Sequence, residues 1–375
     1  MEKASVADST GDGMSTILEK TPDVSRVIDM ALPPFLCTAL ALAVNNRQLN
    51  WSPSAGVTDG TQRVQKEWTF QLPHRQQPQK VAYVQAGRSD HPPVLLVHGF
   101  GASAYHWRAN VNALADAGNC VYAVDLLGFG ASDKPLIEYD ADVWVHQCAD
   151  FLRQVAGCGG ENGKRAVVAG NSIGGFTVLA LAALHPNLVR GIVSLNGAGR
   201  FSDTQNAVPY EREEVKPSSF SSSISNLLTR FIVYAGFWVT KQPARIQQVL
   251  RQVYPVNPER ACEELVASIE YPARHPNAAE VFYRIVSRNG NGPPSKERAV
   301  DILLRQLQCP ILLLFGIQDP WIRPVMADRM LDVCREHGRV VSRVDVVAGH
   351  CPMDESPEEV NRALIDFIDT LPPES

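Results

Sequence analysis

One pattern recurs between about residue 80 and residue 195, where a short apolar run is followed by a turn and then by a segment with helical spacing. The apolar runs are Val81–Gln85, Val94–His98, Val121–Val124, Ala166–Ala169 and Gly191–Leu195, and the helical segments are Trp107–Ala117, Ala141–Val155 and Gly174–Leu184. Short strands that alternate with helices form a parallel sheet with both faces covered. The sequence therefore predicts an α/β fold with a mostly parallel central sheet flanked by helices.

The alternation stops near residue 200 and resumes near residue 301. The intervening residues contain Ser-rich turns and helical stretches such as Leu227–Val239 and Pro243–Val253, without a convincing strand. Strand character returns at Pro310–Phe315 and Val344–Val347, and the helical segment Pro357–Leu371 closes the chain. We therefore predict a loosely ordered leader over residues 1–60, a core over residues 61–200 and 301–375, and a helical cap over residues 201–300.

Charge and cysteine usage exclude several classes of protein. The 375 residues carry 35 basic and 40 acidic side chains, a net charge of −5, and no long basic run, so we do not expect nucleic acid as a partner. The eight cysteines are scattered without a C-x-x-C pair, which is typical of buried thiols and not of a disulfide scaffold or a zinc site.

The leader contains the longest apolar stretch, Met30–Val44, which spans 15 residues and includes Pro33 and Pro34. It is too short for a membrane-spanning helix, so we interpret it as a short apolar helix, with peripheral contact to a membrane surface as the alternative. The leader also has acidic side chains from Glu2 to Asp29, whereas organelle transit peptides are poor in acids.

The segment Gly170–Gly174 reads G-N-S-I-G and lies between a predicted strand and a predicted helix. A G-x-S-x-G sequence in this context is typical of a nucleophile elbow, in which a tight turn exposes the serine hydroxyl. The helix that follows directs N–H groups and the positive end of its dipole at the same place. We predict Ser172 as a nucleophile; the alternative is a Gly-rich turn with an ordinary N-cap serine.

A serine nucleophile needs a general base and an acid that orients the base, and elbow enzymes place both later in the chain. Asp319 and His350 each follow a predicted strand at its carboxyl end, where open α/β sheets gather functional groups. Their simpler interpretations are a turn-forming aspartate and a loop histidine. Asp125 is the rival acid, whereas we expect His98 and His185 to be structural.

An oxyanion hole requires the N–H of the residue after the nucleophile and a second N–H from a loop after an early strand. Ile173 supplies the first. The loop His98–Gly101 follows an early predicted strand, and its glycines allow close backbone approach, so we expect Phe100 to supply the second. The alternative is a plain glycine turn.

Together these elements resemble the α/β-hydrolase superfamily over about residues 65–372. The segments HGFGASAYHWRANVNALA, YAVDLLGFGASDKP and GNSIGGF are similar to the plant and algal plastid hydrolases that include chlorophyll dephytylase, and GIQDPWIRP and AGHCPMDESPEEVN are similar to pheophytinase. The resemblance implies an α/β-hydrolase fold with the cap inserted before the strand that precedes the acid. It also implies a serine hydrolase that cleaves the phytyl ester of chlorophyll or pheophytin through an acyl-enzyme, in the chloroplast.

The same resemblance implies that Ser172, Asp319 and His350 form the triad, that Phe100 and Ile173 are the oxyanion donors, and that no metal or organic cofactor takes part. The binding partner would be a hydrophobic small-molecule ester. The acidic leader puts plastid import in doubt, which leaves the cytoplasm as the other location. The sequence does not indicate the oligomeric state.

The C20 phytyl tail of such a substrate gains about 0.8 kcal/mol per buried methylene, provided that a long apolar pocket receives it. We expect Phe231, Tyr234 and Trp238 of an aromatic cap helix, together with Trp321, to contact the substrate; the alternative is that this helix only packs the cap onto the core. The alternative functions are a general carboxylesterase or lipase, a carbon–carbon bond hydrolase with the same triad, and a receptor that binds a small ligand on the same fold.

Overall fold

The computed structural model describes residues 64–72, 77–160, 163–202, 230, 232–290 and 299–372. The predicted leader with Met30–Val44, the site residue Phe231 and the beginning of the predicted helix Leu227–Val239 lie outside them. The boundaries of the predicted core and cap stay predictions.

Eight strands form one sheet in the order β1-β2-β4-β3-β5-β6-β7-β8. They are β1 (Val64–Phe70), β2 (Gln79–Ala86), β3 (Pro93–Val97), β4 (Cys120–Val124), β5 (Ala166–Asn171), β6 (Val189–Leu195), β7 (Ile311–Gly316) and β8 (Val341–Val346). Strand β2 pairs antiparallel with β1 and β4, and all other neighbours are parallel. The predicted mostly parallel sheet is therefore confirmed.

Helices surround the sheet. They are α1 (Val111–Asp116), α2 (Ala141–Gln154), α3 (Ile173–Leu184), α4 (residues 232–240), α5 (Pro243–Val253), α6 (Glu263–Glu270), α7 (Ala278–Gly290), α8 (Val300–Gln306), α9 (Val325–Glu336), α10 (Pro352–Glu355) and α11 (Pro357–Thr370). Helices α4 to α8 lie between β6 and β7 in the chain. None of the described helices has the length and apolar composition needed to cross a membrane.

The core lies on both faces of the sheet because successive side chains of a strand point in opposite directions. In β3, Leu95 and Val97 belong to one apolar cluster with residues of α2, α3 and α9, whereas Val94 and Leu96 belong to a second with residues of α1 and α11. Every residue of β3, β5, β6 and β7 is buried. The loops at the carboxyl ends of these strands are therefore held by rigid supports.

The structure differs from the prediction of one helix over Trp107–Ala117. A 3₁₀ helix (Ala104–Trp107) comes first, and α1 begins only at Val111. The backbone of Ala104 donates to Asp125 Oδ1 at 2.7 Å, and the Asn110 N–H bonds back to the carbonyl of Trp107, three residues earlier. These contacts tighten the turn, so the apolar spacing of Trp107, Val111 and Leu114 overstates the length of the helix.

Candidate active site

Ser172 lies at the junction of β5 and α3 with φ 56° and ψ −118°, a backbone conformation that is unfavourable for a residue with a side chain. The glycines on either side make the turn sterically feasible. A Cβ atom placed on Gly170 would lie 2.2 Å from the carbonyl oxygen of Gly174, and one placed on Gly174 would lie 2.4 Å from the carbonyl oxygen of Val97. The segment therefore has the backbone of a nucleophile elbow.

Asp319 and His350 meet beyond the carboxyl ends of β7 and β8. The His350 Nδ1 atom lies 2.7 Å from Asp319 Oδ2, and both residues are about 95 % buried, with 4 % and 5 % of their surfaces exposed. A carboxylate only accepts hydrogen bonds, so Nδ1 donates to Asp319 and Nε2 is the ring nitrogen left to take a proton. This is the arrangement that a general base requires.

Two more donors hold the Asp319 carboxylate. Asn196 Nδ2 donates to Oδ2 at 2.8 Å, and the backbone N–H of Trp321 donates to Oδ1 at 2.7 Å. Asn196 also accepts a hydrogen bond from the N–H of Gly316 at 2.8 Å and donates to its carbonyl at 3.2 Å. Asn196 therefore links the end of β6 to the predicted acid, Asp319. The sequence did not predict this role, although the position of Asn196 just after a predicted strand indicated a functional place.

The residue before Ser172 connects the elbow to the His350 loop. Asn171 Nδ2 donates to the His350 carbonyl at 2.8 Å, which fixes the histidine loop against the elbow. Among the hydrogen bonds of the described residues, none joins Ser172 Oγ to His350. Catalytic hydrogen bonds are often long before substrate binds, so this geometry is compatible with proton transfer.

The loop His98–Gly101 lies against the elbow, as the prediction of an oxyanion hole requires. A Cβ atom on Gly99 would lie only 3.2 Å from Ser172 Cβ, so glycine permits this approach. Phe100 is 40 % exposed, and its ring packs on Phe129. Ile173 is the first residue of α3, where N–H groups have no acceptor within the helix. The assignment of Phe100 and Ile173 as oxyanion donors stays a prediction.

His98 has a structural environment. Its Nε2 atom accepts from the N–H of Leu126 at 3.0 Å, so its Nδ1 atom donates to the carbonyl of Gly99, at 2.7 Å. Burial lowers the pKa of His98 and keeps the ring neutral. The ring thus holds the loop on which the predicted oxyanion donor lies.

Asp125, the rival acid, has its carboxylate committed to the backbone. Its two oxygens accept from the N–H groups of Ala104 and Ala131, each at 2.7 Å. Of the two candidate acids, Asp319 contacts His350, and no hydrogen bond of the described residues joins Asp125 to it. His185 lies at the end of α3, with Nδ1 3.4 Å from Arg153 Nη2.

The residues predicted to contact the substrate lie in different parts of the structure. The Trp321 ring centroid is 4.8 Å from that of His350, and 54 % of this residue is exposed. The Tyr234 hydroxyl donates to Glu280, and Trp238 is 56 % exposed. Their contact with a substrate stays a prediction.

Glu355 anchors the histidine loop, a role that the sequence did not predict. It is 1 % exposed, and one carboxylate oxygen accepts from the N–H of Gly349 at 2.5 Å. The other accepts from the N–H groups of Val256 and Asn257 at 2.7 and 3.0 Å. The segment after α5 and the residue before His350 are therefore held by one buried carboxylate.

Asp354, the neighbour of Glu355, strengthens the same junction. Its carboxylate accepts hydrogen bonds from Arg108 Nε at 2.7 Å, Arg108 Nη2 at 3.0 Å and the Tyr254 hydroxyl at 2.8 Å.

Cys351 is buried nearby, and burial raises the pKa of its thiol, which makes it a packing residue. No cluster of three or more His, Cys, Asp or Glu side chains in the described part of the chain could hold a metal ion.

Comparison with known proteins adds sequence and structural relatives. A model of the family described as "Alpha/beta hydrolase family" matches residues 94–363. Chloroplastic pheophytinase of Arabidopsis thaliana is 25% identical over 398 residues, which cover 96% of this chain and 74% of that protein. The 2-hydroxy-6-oxo-6-(2'-aminophenyl)hexa-2,4-dienoic acid hydrolase of Metapseudomonas resinovorans is 39% identical over 293 residues, which cover 76% of this chain and 86% of that protein.

Among solved structures, a serine hydrolase involved in carbazole degradation matches with a TM-score of 0.59 and 21% identity, covering 82% of this chain and 99% of the other. This structural likeness supports the fold, and the two sequence relatives are both hydrolases.

Proposed function

This chain belongs to the alpha/beta hydrolase family, and from that premise we propose that it is a serine hydrolase that cleaves the phytyl ester of a chlorophyll-type pigment. The observation that carries the proposal is the 2.7 Å contact between His350 Nδ1 and Asp319 Oδ2 beside a strained serine turn. A serine, a histidine and a buried carboxylate in this order along the chain support nucleophilic catalysis by an elbow enzyme.

In the proposed reaction Ser172 Oγ attacks the ester carbonyl while His350 Nε2 takes its proton. Asp319 holds the ring and stabilises the imidazolium, and the N–H groups of Phe100 and Ile173 receive the oxyanion. The tetrahedral intermediate then expels the alcohol, which takes the proton from His350. Water activated by the same histidine hydrolyses the acyl-enzyme, releases the pigment acid and restores Ser172.

The substrate class is supported by the likeness to the plastid enzyme, which extends along almost the whole chain. Two exposed rings adjoin the proposed centre, Trp321 beside His350 and Phe100 beside the elbow, and both suit a large apolar ester. The name of that relative also supports a chloroplast location, which imaging of the full chain fused to a fluorescent protein would test.

A second candidate is a hydrolase that cleaves carbon–carbon bonds, because the 39% identical relative acts on a dienoic acid. The same triad could serve both reactions, so a comparison of substrates has to distinguish the two candidates. A phytyl ester hydrolase should leave an oxo-dienoic acid uncleaved. Rapid cleavage of that acid, without cleavage of pheophytin, would favour the second candidate.

The deciding experiment incubates the purified protein with pheophytin, chlorophyll, an oxo-dienoic acid and a short aryl ester. Ser172→Ala is assayed in parallel, and the products are separated by chromatography. We expect the wild-type protein alone to release phytol. No turnover of any of the four compounds would contradict the proposal and favour a ligand-binding receptor.

A further inference from the structure

Helix α4 exposes an apolar face. Ile232, Trp238 and Val239 are 42 %, 56 % and 53 % exposed, and Ala235 is exposed between them. These residues lie on one side of the helix, because positions three, four and seven apart share a face. The opposite side contains Phe237, which is 7 % exposed. The exposed side of α4 is therefore an apolar surface and not the polar one that a solvated helix usually presents.

Positive charge accompanies this face. Residues 230–258 contain four basic side chains and no acidic one, although the chain as a whole has a net charge of −5. Arg230 is paired with Glu280, whereas the ammonium group of Lys241 lies 3.5 Å from the Trp238 ring centroid. Arg245 and Arg251 follow on α5. Lys241, Arg245 and Arg251 give the stretch a positive charge that is complementary to an anionic surface, and Glu270 of α6 is the acidic side chain whose charge acts on Lys241.

Helix α4 is also close to the proposed reaction centre. The Phe237 ring centroid lies 5.3 Å from that of Phe282, and the Phe282 centroid lies 5.7 Å from that of Phe100. Phe100 is next to Gly99, which adjoins Ser172. Two ring contacts thus connect the buried side of α4 to the loop beside the elbow.

We infer that the exposed face of α4, formed by Ile232, Ala235, Trp238 and Val239, docks with Lys241 on an anionic lipid bilayer. Tryptophan lies favourably at the boundary between headgroups and acyl chains, and lysine extends its ammonium group to the headgroups from there. An apolar face combined with basic side chains is the pattern of interfacial helices. Trp238, predicted from the sequence as a pocket residue, belongs to this surface by its exposure.

Vesicle binding by the full chain tests this inference, with Ser172→Ala as the background so that turnover does not interfere. Vesicles of phosphatidylcholine alone are compared with vesicles that also contain phosphatidylglycerol, by co-sedimentation. We expect partition only into the anionic vesicles, decreasing with salt. Lys241→Gln should lower the partition coefficient about fivefold, because each basic residue contributes about that factor at an anionic membrane.

Val239→Asp and Val340→Asp form a matched pair. Val340 is 68 % exposed and precedes β8, at the end of the strand opposite His350. Val239→Asp should reduce binding about tenfold or more, since it places a carboxylate in the apolar face, and Val340→Asp should leave binding unchanged. Absence of binding to anionic vesicles, or equal binding by both variants, overturns the inference.

Hydrolysis of a short soluble aryl ester keeps this outcome separate from that of the proposed function. Val239→Asp in the otherwise wild-type chain should keep its full rate on that ester, since the substitution lies outside the proposed reaction centre. Loss of vesicle binding with this rate intact supports docking by α4. Vesicle binding that survives Val239→Asp would point to another segment and contradict the assignment.

Discussion

Asn196 links the acid of the proposed triad to the neighbouring strand. Its amide donates to the same Asp319 oxygen that His350 contacts, and its backbone has φ 43°, in the left-handed region that asparagine tolerates better than most residues. Asn196→Asp keeps this backbone and the acceptor for the N–H of Gly316. It replaces the donor to Asp319 with a second carboxylate.

We predict that Asn196→Asp lowers kcat by a factor on the order of ten to a hundred, because like charges at hydrogen-bond distance disturb the ionised state of Asp319. The acid limb of the pH–rate profile should also move to higher pH, since a proton shared by the two carboxylates is lost later. Steady-state kinetics on the aryl ester across pH measure both effects.

The matched control is Asn119→Asp. Asn119 is 4 % exposed and donates to the carbonyl of Leu114, in the turn between α1 and β4. This variant should lose stability but keep its pH profile. An unchanged pH–rate profile in Asn196→Asp would show that Asn196 does not position Asp319.

The sequence predicted residues whose local context is distinctive, and it missed those defined by distant partners. Ser172 is marked by flanking glycines, and Asp319 and His350 by their places after apolar runs. Asn196 and Glu355 have ordinary neighbours, and their meaning depends on partners about a hundred residues away. Such partners become visible only when the chain is folded.

At the scale of elements, α10 and the segment after α5 form one joint through Glu355. Its carboxylate accepts three backbone N–H groups, including that of Gly349, and the His350 N–H donates to the carbonyl of Val253 at 3.1 Å. Glu355→Gln preserves the shape but turns one acceptor into a donor. At least one buried N–H then has no acceptor, which costs about 1–3 kcal/mol of unfolding free energy.

We predict that Glu355→Gln lowers kcat about tenfold or more with little change in KM, since the displaced loop carries the base and not the binding surface. Asn257→Ala is the control, because within the described part of the chain Asn257 Nδ2 bonds only the carbonyl of Glu355, at 3.0 Å. It should lower the melting temperature while kcat is retained. Proportional losses of kcat in both variants would indicate a purely structural joint.

Helix α4 is anchored to α7 by the carboxylate of Glu280. Burial alone would raise the pKa of Glu280, but hydrogen bonds from Tyr234 and Arg284 and the charges of Arg230 and Arg284 outweigh it, so the pKa is lowered. A carboxyl group with a lowered folded pKa stabilises the fold above its unfolded pKa of about 4.3, and this contribution is lost as the pH falls through the folded value.

We therefore predict that α4 loosens selectively in acid. Hydrogen exchange of a peptide covering residues 232–240, corrected for intrinsic rates, should accelerate as the pH falls below about 4. Glu280→Gln should show the faster exchange already at neutral pH, with less further change in acid. Parallel pH dependence in the variant and the wild-type protein would rule out Glu280 as the anchor.

Strands were easier to predict than helices. Central strands such as β3 and β7 are buried on both faces and are therefore continuous apolar runs. Helix α9 was not predicted, because its buried residues, Ala327, Met330 and Cys334, form a narrow stripe among charged neighbours. The edge strand β1 is mostly exposed and has no such run.

At the scale of the whole molecule, the sheet order depends on pairings that local patterns do not encode. The alternation of strands and helices predicted a mostly parallel sheet, and this is confirmed. Strand β2 pairs antiparallel with β1 at the edge of the sheet, and also with β4, which follows it in the chain only after β3. Local periodicity defines elements, whereas the order of the edge strands depends on the complete sheet.

The stability of the whole fold should depend on pH through buried histidines. His106 is 3 % exposed, and burial is the main cause that lowers its pKa to about 3, with the positive charge of Arg108 acting in the same direction. In the unfolded chain a histidine has a pKa of about 6.5. Between these values the unfolded state binds a proton that the folded state does not, so the free energy of unfolding decreases as the pH falls.

We predict that His106 alone accounts for a loss of up to about 1.4 kcal/mol per pH unit below pH ~6.5. His106→Gln removes the titrating group, so urea unfolding of this variant between pH 7 and 5 should show a slope smaller by about that amount. His146→Gln is the matched control, because His146 is exposed and its ring contacts a backbone carbonyl of its own helix. Identical slopes in all three proteins would mean that the folded chain protonates His106 as readily as the unfolded chain does, which would contradict the prediction.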